Sequence, residues 1–291
     1  MVSAVSARRS HALVAFAAAS ILALAACSDQ APLAPPTDIG RAQASPSALA
    51  GVGSNRRIIA LHDGRPVAAV VARIRELGGT VTRAHEGSGL IIASGLTDAA
   101  AQSLAQHADV SEVFRDRVVQ WLPPKVMRSG AVTAAGHQLT GAPDDQSGAF
   151  FFPRFQWNMR VTRASDVWKL NDAHGKGATV CDLDTGIDPT HIDLAGKVDV
   201  NMSTSMVVTE PDILDYNGHG TFVSSQIATN GLGMASVAPL ATLCQVKVLD
   251  KTGAGLLSDA IAGIVYAADA KADVINMSFG AYFTTRDPDF R

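Results

Sequence analysis

Three cysteines in 291 residues are too few to staple a small disulfide scaffold. Aromatic residues make up only 5% of the chain, so its apolar bulk has to come from elsewhere. An excess of one charge is missing too. The 24 Lys and Arg against 27 Asp and Glu leave a net −3, which offers no electrostatic footprint for nucleic acid. With Gly at 25 and Pro at 13, collagen-like and Pro-rich fibrous chains are excluded. The apolar run Ala12 to Ala26 spans about 15 residues, short of the roughly 20 that a membrane-crossing helix needs. What remains is 47% hydrophobic and 18% charged, rich in Ala and Val, and able to bury a core. The length suits about two domains.

Arg8 and Arg9, the apolar run and the small residues that close it read as an export signal over residues 1–26. Leu24-Ala25-Ala26-Cys27 resembles a bacterial lipobox, which implies lipidation of Cys27 and anchoring to a membrane through the lipid. The expected location is therefore outside the cytoplasm, as an anchored lipoprotein or a secreted protein. Residues 27–54, rich in Ala, Pro, Ser and Gly, read as a flexible tether.

Residues 55–122 read as a small β-α-β-β-α-β domain. Arg57 to Leu61 is β-prone and stops at Asp63-Gly64. Pro66 can open a helix, and Val67, Val70, Val71, Ile74 and Leu77 share one helical face until Gly78-Gly79. Strands are expected at Thr80–Ala84 and Gly89–Ala93, then a helix capped by Thr97 and running to about His107, then a strand over Val110–Val119. That order is the ferredoxin-like arrangement. His62, His85 and His107 fall in different elements and read as surface residues. Residues 123–155, with Pro123-Pro124 and several Gly, read as an exposed linker.

Residues 156–291 alternate strands and helices, the pattern of a parallel α/β sheet. Strands are expected at Ala178–Leu183, Ala241–Leu249 and Asp273–Ser278. One helix opens at Gly218-His219-Gly220-Thr221 and runs to about Ala228. Another is capped by Ser258, with Ile261, Ile264, Val265 and Ala268 on its inner face. Ligand sites of open α/β sheets lie at the carboxyl ends of strands, where Asp184 falls, and His219 falls at a helix start. Cys181 and Cys244, both on core strands, are expected as buried free thiols. Met202, Met206 and Met277 read as plain core or loop residues.

Asp184-Thr185-Gly186-Ile187-Asp188-Pro189-Thr190-His191 resembles the catalytic-Asp block of the subtilisin-like serine peptidases, and Asn217-Gly218-His219-Gly220-Thr221 resembles their catalytic-His block 35 residues later. Val237-Ala238-Pro239, Val246 to Asp250 and Asp273 to Gly280 extend the match. The resemblance implies an endopeptidase in which a serine hydroxyl is activated by His219, with Asp184 holding the imidazole. It implies that Gly253-Ala254-Gly255 and Ser278-Phe279-Gly280 pair with the substrate backbone, and that residues 55–122 are an inhibitory propeptide. Protein or peptide substrates follow, and the chemistry needs no cofactor. An aspartic protease, the other reading of Asp-Thr-Gly, requires a second such triplet, and none occurs.

The chain also departs from the family. The Gly-Thr-Ser-Met-Ala block that carries the family's nucleophile is not among the 291 residues, so this polypeptide is expected to be inactive by itself. The alternative function is that of a non-catalytic exported lipoprotein whose propeptide-like domain binds a related peptidase. Ser203-Thr204-Ser205-Met206 mimics the missing block but lies between Asp184 and His219, as a loop. Phe222 replaces a second His, Ser224-Ser225 replaces Ala-Gly, and Asp182 stands where the family is apolar. The loop Thr229–Ser236 is about two residues short of the family's calcium loop, and Asp193 alone does not make that site.

Overall fold

A computed structural model describes residues 55–123, 146–170 and 174–281. Cys27, the signal-like segment and the tether lie outside the described residues, as does most of the linker. The first domain runs β1 (Arg56–Leu61), α1 (Val67–Glu76), β2 (Thr80–His85), β3 (Leu90–Ser94), α2 (Asp98–Ala105) and β4 (Val110–Arg115). Its antiparallel sheet has the order β2-β3-β1-β4, as the ferredoxin-like reading expects. The local signals act as read. Val67, Val70 and Ile74 bury one face of α1, Gly78 turns the chain at φ 82°, and Thr97 Oγ1 accepts Ala100 N–H at 3.2 Å. Ile59, Leu61, Ile91 and Leu104 close this core from the sheet and α2.

The expected strand Val110–Val119 is two strands. β4 stops at Arg115, and β5 (Val118–Gln120) pairs antiparallel with β9 (Ala254–Leu256) instead. The break is Asp116, whose side chain is drawn inward to a buried arginine and a helix start. Alternation of apolar residues cannot report such a change of partner.

The second part is a parallel sheet ordered β10-β6-β8-β7, comprising β6 (Thr179–Asp184), β7 (Thr204–Ser205), β8 (Thr242–Lys247) and β10 (Val274–Asn276). α5 (His219–Ile227) and α6 (Leu257–Asp269) pack on it. The linker reading fails at its end. A 3-10 turn at Gln146–Gly148 leads to α3 (Trp157–Val161) and α4 (Ala164–Leu170). Gln146 is fully buried and hydrogen-bonded to Thr229 and Ser236.

Two further expectations are corrected. On α6 the buried face is small, with Ala260, Gly263 and Ala267, while Ile264 is exposed. A Cβ on Gly263 would lie 2.7 Å from Val248 Cγ1, so the absent side chain lets the helix settle on β8. Ile261 and Val265 turn to grooves shared with the first-domain sheet. The apolar periodicity is real, but it marks the contact with the other domain. Cys181 and Cys244 form a disulfide. They are register partners on β6 and β8, with Cα atoms 4.3 Å apart, and sulfurs so juxtaposed can bond across adjacent strands.

Candidate active site

β6 ends in Asp184, and the chain then turns through Thr185 and Gly186, the latter at φ 118°. Gly218, at φ 93°, starts α5, so His219 is the first residue of the helix. A Cβ on Gly220 would collide with the Gly186 carbonyl, so this glycine lets the helix start rest on the Asp184 turn. His219 Nδ1 thereby lies 2.8 and 2.9 Å from the two Asp184 oxygens. Asp184 is fully buried and also accepts Thr185 N–H at 2.7 Å. The imidazole is 30% exposed, and among the described residues its Nε2 has no hydrogen-bond partner. The hydrogen bond to Asp184 raises the imidazole pKa above its ordinary value. Partial burial opposes this, and the charges of Asp184, Asp182 and Asp215 add to it.

Asp215 is a site residue that the sequence reading missed. Its oxygens accept from Thr185 Oγ1, Asn217 N–H, Gly218 N–H and both N–H and Oγ1 of Thr221. Burial alone would raise its pKa, but the bonds from Gly218, Thr221 and Asn217 lower it overall. An Asp followed by Asn-Gly before a helix is a turn signal that could have revealed it. Lys247, fully buried beside Asp184 on β8, was likewise unassigned. Its Nζ contacts Glu210 and the Leu214 carbonyl, both at 2.7 Å, and lies 4.7 Å from the Tyr216 ring centroid.

The two glycine-containing edges lie on either side of one segment of the first domain. Trp121 and Leu122 donate their N–H groups to the Gly253 carbonyl at 3.0 and 3.1 Å. Gly280 N–H donates to the Trp121 carbonyl at 3.3 Å, and the Trp121 ring meets Phe279 edge-on. Gly253, at φ 78°, has no Cβ where one would lie 2.7 Å from Leu122 Cβ. Ala254 and Gly255 pair with Gln120 and Val119. Ser278 is exposed, and its hydroxyl accepts from Asn276.

A buried ionic joint lies behind this segment. Arg56 Nε is 3.1 Å from Asp116 and its Nη2 is 3.2 Å from Asp259. Asp116 accepts both the N–H and the hydroxyl of Ser258. Ser258 is therefore not the cap of α6; Leu256 holds that position, and the first domain supplies the capping carboxylate. Burial lifts the Asp259 carboxyl to about 6, with Arg56 opposing.

Asp182 is 1% exposed and bound by Ser224 and Asn276. Asp193 accepts from the N–H groups of Leu232, Gly233 and Met234. These three bonds hold the segment 232–234 onto the Asp193 carboxylate. Among the described residues no group of three or more His, Cys, Asp or Glu could hold a metal. Ser203 and Ser205 spend their hydroxyls on the Asp199 and Glu210 carbonyls beside β7. Met206 is buried, Met277 is exposed, and Phe222 is exposed.

The Subtilase family model matches residues 175–290. A thermophilic serine proteinase of Bacillus sp. (strain AK1) is 36% identical over 133 residues, covering 45% of this chain and 32% of that protein. An intracellular serine protease of Paenibacillus polymyxa is 41% identical over 126 residues, covering 42% and 38%. Thermitase of Thermoactinomyces vulgaris is 35% identical over 133 residues, covering 45% and 46%. The chain thus spans about a third to a half of the length of these curated relatives. Among solved structures, fervidolysin from Fervidobacterium pennivorans, described as a keratinolytic enzyme related to subtilisin, aligns with TM-score 0.58 at 21% identity. That alignment covers 79% of this chain and 36% of fervidolysin, so the shared fold extends beyond the family segment. Residues 175–290, which hold the Asp184 and His219 blocks and most of the parallel sheet behind them, are thus similar to the subtilase family of serine proteases.

Proposed function

We propose that Asp184 and His219 are the orienting carboxylate and general base of a subtilisin-like endopeptidase site. The observation that carries this reading is the His219 Nδ1 contact with both Asp184 oxygens, on a partly exposed imidazole. Asp184 fixes the proton on Nδ1, leaving Nε2 to take a proton from a serine hydroxyl and return it to the leaving amine. The rise in the imidazole pKa favours that transfer. The family's nucleophile block is not within the 291 residues, so this polypeptide supplies the base and its anchor but no turnover by itself. A fluorogenic peptide assay on the purified 291-residue chain tests this. No hydrolysis above buffer is expected, and turnover abolished by His219→Ala would overturn it. An in-frame Gly-Thr-Ser-Met block past codon 291 would supply the rest of the site.

Residues 55–122 act as the inhibitory propeptide of this site, and the pairing of β5 with β9 supports that role. In the same reading, Gly253 to Gly255 and Ser278 to Gly280 are the edges that would hold a protein substrate. Addition of residues 55–122, which have a core of their own, should inhibit an active subtilisin-like enzyme. The chain is exported and anchored at Cys27. The Cys181–Cys244 disulfide supports export, since such bonds persist in oxidising compartments. Labelled fatty acid should be incorporated by the wild type and not by Cys27→Ser.

A further inference from the structure

Asp182 and Ser224 are two departures from the family pattern, 42 positions apart, and they meet. Asp182 lies two residues before Asp184, so both side chains leave the same face of β6. Its Oδ2 accepts Ser224 Oγ–H at 2.8 Å, and its Oδ1 accepts Asn276 Nδ2–H at 2.8 Å. Asn276 is its register partner on β10 and reaches Ser278 Oγ with the same nitrogen at 3.0 Å. The groups facing Asp182 are Asp184 on its own strand, His219 and Ser224 on α5, and Asn276 on β10. Its β8 register partner, Gln245, is neutral and buried. Lys247, the cation on β8, is taken by Glu210, and among the described residues no ion pair reaches Asp182.

A second carboxylate buried behind a catalytic-type dyad without a paired cation is costly to ionise. Here its partners suit either charge state. Asn276 can only donate through Nδ2, whereas the Ser224 hydroxyl can donate to the carboxylate or accept from the carboxylic acid. Protonation of Asp182 therefore reverses one hydrogen bond and breaks none. We propose that Asp182 is a positioning residue for the Asp184–His219 pair. It ties the helix bearing His219, through Ser224, to the strand leading into Ser278–Gly280, through Asn276, and its negative charge behind Asp184 strengthens the hold of His219 on its proton. This rests on the reading of His219 as the base.

Geometry and electrostatics agree. Burial, and after it the Asp184 charge, lift the Asp182 carboxyl to about 7, while the Asp184 hydrogen bond and the nearby carboxylate charges, Asp182 among them, raise the His219 imidazole. The two groups therefore exchange protons as a coupled pair. Nuclear magnetic resonance titration of the His219 ring nitrogens in the 291-residue chain tests this without any turnover. Wild type should show two inflections. Asp182→Asn mimics the protonated acid and should leave one inflection, displaced downward by about one pH unit, a tenfold fall in proton affinity. The double variant D182V/S224A, which restores the family's apolar pairing, should show the same displacement and guards against a local effect of the asparagine. A single inflection in wild type and an unmoved midpoint in both variants would overturn the role. Shifted titrations with no peptidase in any longer form would leave the electrostatic coupling standing and overturn the protease reading instead.

Discussion

Two buried clusters of carboxylates sit in this molecule, and they are neutralised differently. At the contact between the first domain and α6, Arg56 lies between Asp116 and Asp259, a permanent cation shared by two acids. At the end of β6, Asp182 and Asp184 have no such cation among the described residues and face the imidazole of His219. A guanidinium does not exchange its charge at any ordinary pH, so the first cluster is a joint. The second is balanced by protons that can leave, which is what acid–base chemistry requires. Burial is common to both; the exchangeable partner separates them.

The sharpest break in that comparison is Asp184→Asn. In any form of the protein that carries the nucleophile, kcat should fall about 10,000-fold, because the imidazole loses its tautomer anchor. Steady-state kinetics would show it, and retention of activity would remove Asp184 from the role. Next in size, Arg56→Met strands two carboxylates at the joint and should cost about 3–5 kcal/mol. Urea denaturation reads this directly, and a loss under 1 kcal/mol would make the joint a surface-like pair. The C181A/C244A double variant should lose about 2–4 kcal/mol in the same measurement, from a cross-link closing a span of 63 residues beside Asp182.

A smaller effect concerns pH. The folded-state Asp259 carboxyl, at about 6, lies above its ordinary 3.8. Its contribution is therefore fully present below about pH 4 and is lost as pH rises through 6. Wild type should lose stability relative to Asp259→Asn between pH 4 and 6 and run parallel to it above about 7. Parallel curves throughout would mean that Arg56 fully compensates. The smallest expected effect is that of a chelator. With Asp193 satisfied by three N–H donors, removal of calcium should leave Tm unchanged.

How far the sequence reached depended on the kind of signal. The first-domain sheet was legible because helix stops, a cap and an apolar face coincide between Pro66 and Leu104. The Asp184–His219 pair was legible because a strand-end Asp and a Gly-flanked helix-start His follow family blocks. The swap of β5 to β9 was not, since Val118 and Val119 suit either sheet. Nor was the disulfide, because pairing Cys181 with Cys244 depends on register between strands 63 residues apart. On α6, periodicity found an apolar stripe but could not tell which neighbour it served. Asp182 could be marked as unusual, but its explanation needed Ser224 brought 2.8 Å away.

The pairing of β5 with β9 has a consequence for competition. Any incoming extended peptide that used the backbone groups of Gly253 to Leu256 would have to displace a segment of the same chain. A segment held by a tether acts at an effective concentration on the order of millimolar. A free peptide at micromolar levels would therefore seldom win this edge, until a cut in the connecting residues turned the rival into a diffusible one.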